Sequence, residues 1–192
     1  MNKTHLAKDV LIIDFETSSI NTKICSPLQI GAILLDKHSL SIVSEYNSYI
    51  IPCTPDWSST SEDVHKLKYD LLMKVGKRVD IVIQELLNAF NFNDIILASW
   101  NAFDIIILER FLDLRKYNMY RFIELWSYTL PFIQINNIVV KDETHHKLDT
   151  LVAYFNLQNN NRHDALNDAR IEAQIFIAVT RAYATYSSSL KS

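Results

Sequence analysis

The stretch Val10-Leu11-Ile12-Ile13-Asp14-Phe15-Glu16 limits the folds open to this chain more than any other. It is short, apolar and β-branched, which reads as a buried strand. Alternation along a strand puts Asp14 and Glu16 on the same face. Near the middle of a sheet, two converging like charges cost several kcal/mol each unless something neutralises them. Hard oxygen ligands of this kind suit magnesium or manganese. The plain structural alternative is a strand that ends at the surface with both acids solvated, and a bare Asp-x-Glu does not decide between the two.

The rest of the pattern builds a mixed α/β fold around that strand. QIGAILLD and SIVSEYNSYII supply two further strands, so the chain opens as a three-stranded meander. Val79, Val82, Ile83, Leu86, Leu87 and Phe90 recur at helical spacing, giving a helix that ends near NFND. DIILASW reads as a fourth strand entering an amphipathic helix over NAFDIIILERFLDLRKY, and RFIEL as a fifth strand. LDTLVAYF then reads as a short helix, and DALNDARIEAQIFIAVTRAY as a long one with Ala165, Ala169, Ala173 and Phe176 on one side.

With 192 residues, one domain over 1–192 is expected. A hydrophobic fraction of 48% and a charged fraction of 21% exclude disordered and fibrous classes. The two glycines, Gly31 and Gly76, cannot make a phosphate-binding loop or a dinucleotide fingerprint, which removes nucleoside-triphosphate hydrolases and most dehydrogenases. A net charge of -3 argues against long non-specific duplex binding but leaves room for an enzyme that grips a few terminal nucleotides. Cys25 and Cys53 make neither a disulfide framework nor a zinc cage; both are expected to be buried in a reduced protein. The first residues lack a cleavable apolar leader, and no run reaches membrane-span length, so a soluble cytoplasmic protein is expected.

Two further places carry candidate acids. Asp104 opens a helix directly after the fourth strand, where a carboxylate complements the helix dipole, but also where open α/β sheets place their chemistry. Asp94, at the other end of that strand, is its rival. In Arg162-His163-Asp164-Ala165-Leu166-Asn167-Asp168, Asp164 is the expected N-cap, leaving His163 on the preceding loop and Asp168 among small residues that let the helix approach the sheet. The plain alternative makes Asp168 a surface ion pair with Arg162 or Arg170 and His163 a solvated loop histidine.

Taken together and in order, DFET, an Asp after the fourth strand and HDALNDA resemble the DEDDh exonucleases, the DnaQ-like family, over nearly the whole chain. The resemblance implies an RNase H-like mixed five-stranded sheet flanked by helices. It implies 3′–5′ hydrolysis of single-stranded DNA or RNA to nucleoside 5′-monophosphates with two Mg2+ or Mn2+ ions. Asp14, Glu16 and Asp168 would bind one ion, Asp14 and Asp104 the second, and His163 would be the general base, with Phe15 and Thr17 beside the terminal nucleotide. The second motif, Trp100-Asn101-Ala102-Phe103-Asp104, is shortened relative to the common proofreading form and resembles the KapD-like branch, which points toward RNA. Asn101 enters the substrate set from that motif, and Trp100 and Phe103 as rings on which bases could stack. Ser18 and Ser19 replace the Thr-Gly pair of many members. His145 and His146 are expected on a loop, and Lys147 and Arg162 near phosphates.

Three other functions stay open at this level: a proofreading subunit within a polymerase assembly, a catalytically silent nucleic-acid-binding module on the same scaffold, and a phosphodiesterase for small dinucleotides, whose chemistry is the same and whose pocket differs only in depth. A homodimer or a polymerase is the expected protein partner, and no membrane.

Overall fold

The computed structural model describes residues 6–117, 119, 121–140, 147–159 and 161–189. In chain order the elements are strands β1 (Asp9–Thr17), β2 (Pro27–Leu35) and β3 (Ile42–Tyr49), then helices α1 (Ser59–His65), α2 (Tyr69–Val75) and α3 (Val79–Ala89). There follow β4 (Ile95–Ser99), α4 (Ala102–Glu109), β5 (Ile123–Glu124), α5 (Leu125–Ile135), α6 (Lys147–Tyr154) and α7 (Ala165–Ser189). The five strands form one sheet in the order β3-β2-β1-β4-β5. The β1–β2 and β2–β3 pairs are antiparallel, and the β1–β4 and β4–β5 pairs parallel. This is the mixed five-stranded sheet expected, with β1 at its centre.

Period-two alternation sorts the core into two layers. Leu11, Ile13 and Phe15 of β1 pack with Ile30 and Ala32 of β2 against Val82, Ile83 and Leu86 of α3 and Ile105 and Leu108 of α4. Val10 and Ile12, on the other face, pack with Ile33 and Leu35 against Ala169, Ala173 and Phe176 of α7. Each buried Ile or Leu contributes roughly 1.5–3 kcal/mol by leaving water, so the sheet is clamped from both sides.

Some elements differ from expectation. α4 stops at Glu109, because the chain turns through Arg110 and Phe111 and tightens into a 3-10 turn at Leu114–Tyr117. The Arg110 guanidinium reaches back to the Cys25 carbonyl at 2.6 Å, which anchors that turn. β5 is only two residues long. α5 has apolar residues on every side and carries Pro131, so its sequence lacks a helical stripe; it buries Leu125, Thr129, Phe132 and Ile133. The short helices α1 and α2 fall in a stretch where no periodicity stood out. Cys25 is buried as expected, but Cys53 is exposed beyond the end of β3. His145 and His146 lie outside the described residues. Among the described residues no helix is long and apolar enough to cross a membrane.

Candidate active site

The acids are assembled by the same seam that builds the α7 face of the core. Val10, Ile12, Asp14 and Glu16 all point to that face, so β1 runs from an apolar half into an acidic one. Across the sheet Asp14 pairs with Gly31 of β2, and a Cβ on Gly31 would stand 2.2 Å from the Ala165 carbonyl oxygen. The missing side chain therefore lets the first turn of α7 rest on the backbone of β2. Gln29, the partner of Glu16 in the ladder, fixes the position along the strand: its Nε2 donates to Asp164 Oδ2 at 3.0 Å and its Oε1 accepts from the Ala165 N–H at 3.3 Å. Asp164 caps α7 as expected, accepting the Asn167 N–H at 3.0 Å.

This docking carries Asp168 over Glu16. Atoms of Glu16, His163 and Asp168 lie within 4.8 Å of one another. His163 sits just before α7 in the left-handed region, φ 61°, a conformation uncommon for a non-glycine residue. Its backbone N–H donates to Asp168 Oδ2 at 2.9 Å, which ties the loop to the helix. Neither arginine pairs with Asp168: Arg170 holds Glu45 and Arg162 holds Asp149. From the other side of the strand tip, buried Asp104 accepts the Phe15 N–H at 3.0 Å. Asp94, its rival, is exposed and 3.8 Å from Lys37.

The electrostatics of this cluster are those of uncompensated negative charge. Burial, then Asp104, Glu172, Glu16 and Asp168 in that order, push the Asp14 carboxyl well above the usual range. Burial, then Asp168, Asp104 and Asp164, push Glu16 up to about 8. Burial raises Asp104 to about 7 against the opposing pull of two backbone N–H groups, and burial raises Asp168 as well, with His163 and Arg162 pulling the other way. Among the described residues, every charge acting on Asp14 is another carboxylate. Oδ1 of Asp168 and Oε2 of Glu172 are buried without a hydrogen-bond partner, whereas buried polar atoms ordinarily have one. Crowded hard oxygens, orphaned lone pairs and a neighbouring imidazole fit divalent cations bound by Asp14, Glu16, Asp104 and Asp168. Asp14 retains partial solvent contact, so the cluster is open to ions.

The other candidate residues occupy varied positions. Alternation turns the Phe15 ring into the apolar cluster beneath α4, opposite the acids. Thr17 is buried and donates to the Ser19 carbonyl at 2.9 Å. Asn101 is the N-cap of α4 and accepts the Phe103 N–H at 2.7 Å, so its side chain serves the helix. Trp100 packs between α5 and α7, its ring centroid 6.2 Å from that of Trp126. Phe103 is half-buried against the α4 core. Two residues not singled out from the sequence join the neighbourhood. Glu172 follows Asp168 by one turn on α7. His65, at the end of α1, accepts the Leu67 N–H on Nδ1 at 2.9 Å and lies beside Thr17, near enough to His163 to sense its charge.

A family model described as Exonuclease, RNase_T, matches residues 11–176. The chain belongs to this exonuclease family. The sheet order, with helix layers on both faces, is that of the RNase H-like fold. It is 27% identical over 177 residues to a PolC-type DNA polymerase III from Thermotoga petrophila, an alignment covering 87% of this chain and 11% of that protein. The chain thus spans about a tenth of the curated relatives it matches. Among solved structures, the nuclease domain of 3′hExo, a DEDDh family member bound to rAMP, superposes with a TM-score of 0.68 at 16% identity, covering 92% of this chain and 93% of that one. Exonuclease I of E. coli in complex with a dT13 oligonucleotide gives 0.70 at 17% identity, covering 90% and 40%. Similarity at that level establishes a shared fold.

Proposed function

We propose that this chain is a 3′–5′ exonuclease that hydrolyses single-stranded DNA or RNA to nucleoside 5′-monophosphates. The observation that carries this reading is the gathering of Asp14, Glu16, Asp104 and Asp168 beside His163, with no cation of the described residues among the charges that act on Asp14. Asp14, Glu16 and Asp168 would hold one divalent ion, and Asp14 and Asp104 a second. Bound ions of this type stabilise the attacking and leaving oxygens of an in-line phosphoryl displacement.

The protein's own groups supply the remainder. Burial lowers the pKa of His163 below its ordinary value while Asp168 pulls it up more weakly, so the imidazole is neutral at pH 7 and accepts a proton from the attacking water. The bond from the His163 N–H to Asp168 fixes the loop that carries that base. Asp104, held by the Phe15 N–H, keeps its carboxyl at the strand tip. Thr17, with His65 beside it and near His163, lies next to Glu16 on the side that would take the terminal nucleotide. The Trp100 ring is half-buried between helices.

The experiment is an assay of labelled single strands with Mn2+, using matched DNA and RNA oligomers. Stepwise release of mononucleotides from the 3′ end is expected, and the preferred oligomer identifies the sugar. Absence of release from both, with Asp14→Ala binding Mn2+ as well as wild type, would defeat the proposal. A second reading, proofreading within a polymerase, rests on the similarity to PolC-type polymerases; it requires co-purification with a polymerase.

A further inference from the structure

Glu172 lies one turn beyond Asp168 on α7, so both carboxylates leave the helix on the same side. It is 1% exposed. Its carboxyl lies against the backbone N–H of Trp100, and Oε2 has no partner. Its neighbours Ala169 and Ala173 pack on the strands, where an apolar side chain would fit at no electrostatic cost. An acid instead adds to a pocket already crowded with acids.

Its place within that pocket is specific. Among the charges acting on Asp14, Glu172 ranks second after Asp104 and ahead of Glu16 and Asp168. Glu172 in turn is acted on by Asp104 first and Asp168 second. Glu172 is not among the Glu16, His163 and Asp168 atoms that gather within 4.8 Å of one another, and the backbone N–H it lies against belongs to Trp100, just before α4 and Asp104, which sets it toward the Asp14–Asp104 end of the cluster. The two ends are unequal in donors without it. The first has a carboxylate pair and an imidazole beside Asp14, while at the other end one oxygen of Asp104 already accepts the Phe15 N–H. The orphaned Oε2 of Glu172 supplies the oxygen that this end lacks.

We infer that Glu172 is a further acid of the metal site, holding the ion at the Asp14–Asp104 end through Oε2. The inference rests on the two-ion reading above. Its test counts bound Mn2+ by electron paramagnetic resonance and calorimetry at one fixed pH, on the whole chain, for wild type, Glu172→Gln, Glu172→Asp and Asp14→Asn. Wild type is expected to bind two ions. Glu172→Gln should keep one at unchanged affinity and bind the other about 10–100-fold more weakly, the range seen when a group supporting a metal site is removed. Glu172→Asp, which keeps the charge on a shorter arm, should fall between. Metal-free Glu172→Gln should melt above metal-free wild type, because one of the crowded charges is gone. Two ions bound by Glu172→Gln as in wild type would overturn the inference and leave the two-ion reading intact. Wild type that binds no ion would overturn both. If Glu172→Gln does not fold, Glu172→Asp decides: wild-type affinity for both ions overturns the inference, and a weakened second ion supports it.

Discussion

The seam between β1 and α7 has two halves made from the same strand, the same helix and the same alternating face. In one, Val10 and Ile12 meet Ala169, Ala173 and Phe176 and the contact is dry and fully buried. In the other, Asp14 and Glu16 meet Asp168 and Glu172, and nearly the same geometry becomes a cluster of repelling charges. The apolar half stabilises by leaving water. The acidic half destabilises by crowding buried like charges. The contrast teaches that this fold obtains a site by continuing a core contact with different side chains, so the rigidity of the first half is passed to the second.

Breaking the acidic half outright should have the largest effect. Asp14→Asn is expected to lower mononucleotide release by about 10³-fold or more, on the scale of losing a preorganised electrostatic contact, while raising the melting temperature of the metal-free protein. An Asn variant that turned over normally would refute the importance of that strand position. Proton linkage gives the next test. Glu16 has a folded-state value of about 8 against an ordinary 4.5. Its contribution to stability is complete below about pH 4.5, where folded and unfolded chains both carry the proton, and is lost as pH rises through about 8. Metal-free protein should therefore melt progressively lower between pH 5 and 8. Mn2+ should abolish that slope and Glu16→Gln should flatten it.

Gly31→Ala joins the two halves in one experiment. Its methyl group would meet main chain, so α7 must shift, at about 1–3 kcal/mol by the cost of overpacking. Thermal melting should fall and nucleotide release should fall with it. Ile12→Val trims only the apolar half; about 0.5–1.5 kcal/mol should be lost with Mn2+ affinity unchanged. A change in Mn2+ affinity there would show that the halves are less independent than the seam suggests. Smallest of all, Arg170→Ala removes the partly exposed ion pair with Glu45 and should cost no more than about 1 kcal/mol.

Local chemistry made much of this legible. Asp14 and Glu16 could be read from alternation on a strand, Asp104 from its position after β4, and His163 and Asp168 from an N-cap signature. Glu172 was not, because in Arg170-Ile171-Glu172-Ala173 it looks like an ordinary helix-surface acid. The available signal was its spacing of four from Asp168, on the side of the helix that carries Ala169 and Ala173. His65 depends on a long-range approach of α1 to Thr17 that no short window contains. α5 escaped because its sequence carries apolar residues on every side and so shows no stripe, although only Leu125, Thr129, Phe132 and Ile133 are buried, and Cys53 because its residue type suggests burial while its backbone lies beyond the strand end.

Gly31 has a consequence beyond fit. With no side chain between β2 and the first turn of α7, the helix comes to rest on main chain, as a shaft rests on a mechanical stop. Side chains can exchange rotamers, and a repacked core can swell or shrink by a methyl group, without moving that point of contact. The distances between the clustered carboxylate oxygens are thus gauged by the peptide backbone, and the acidic end of the seam should keep its dimensions through sequence changes that remodel the rest of the interior.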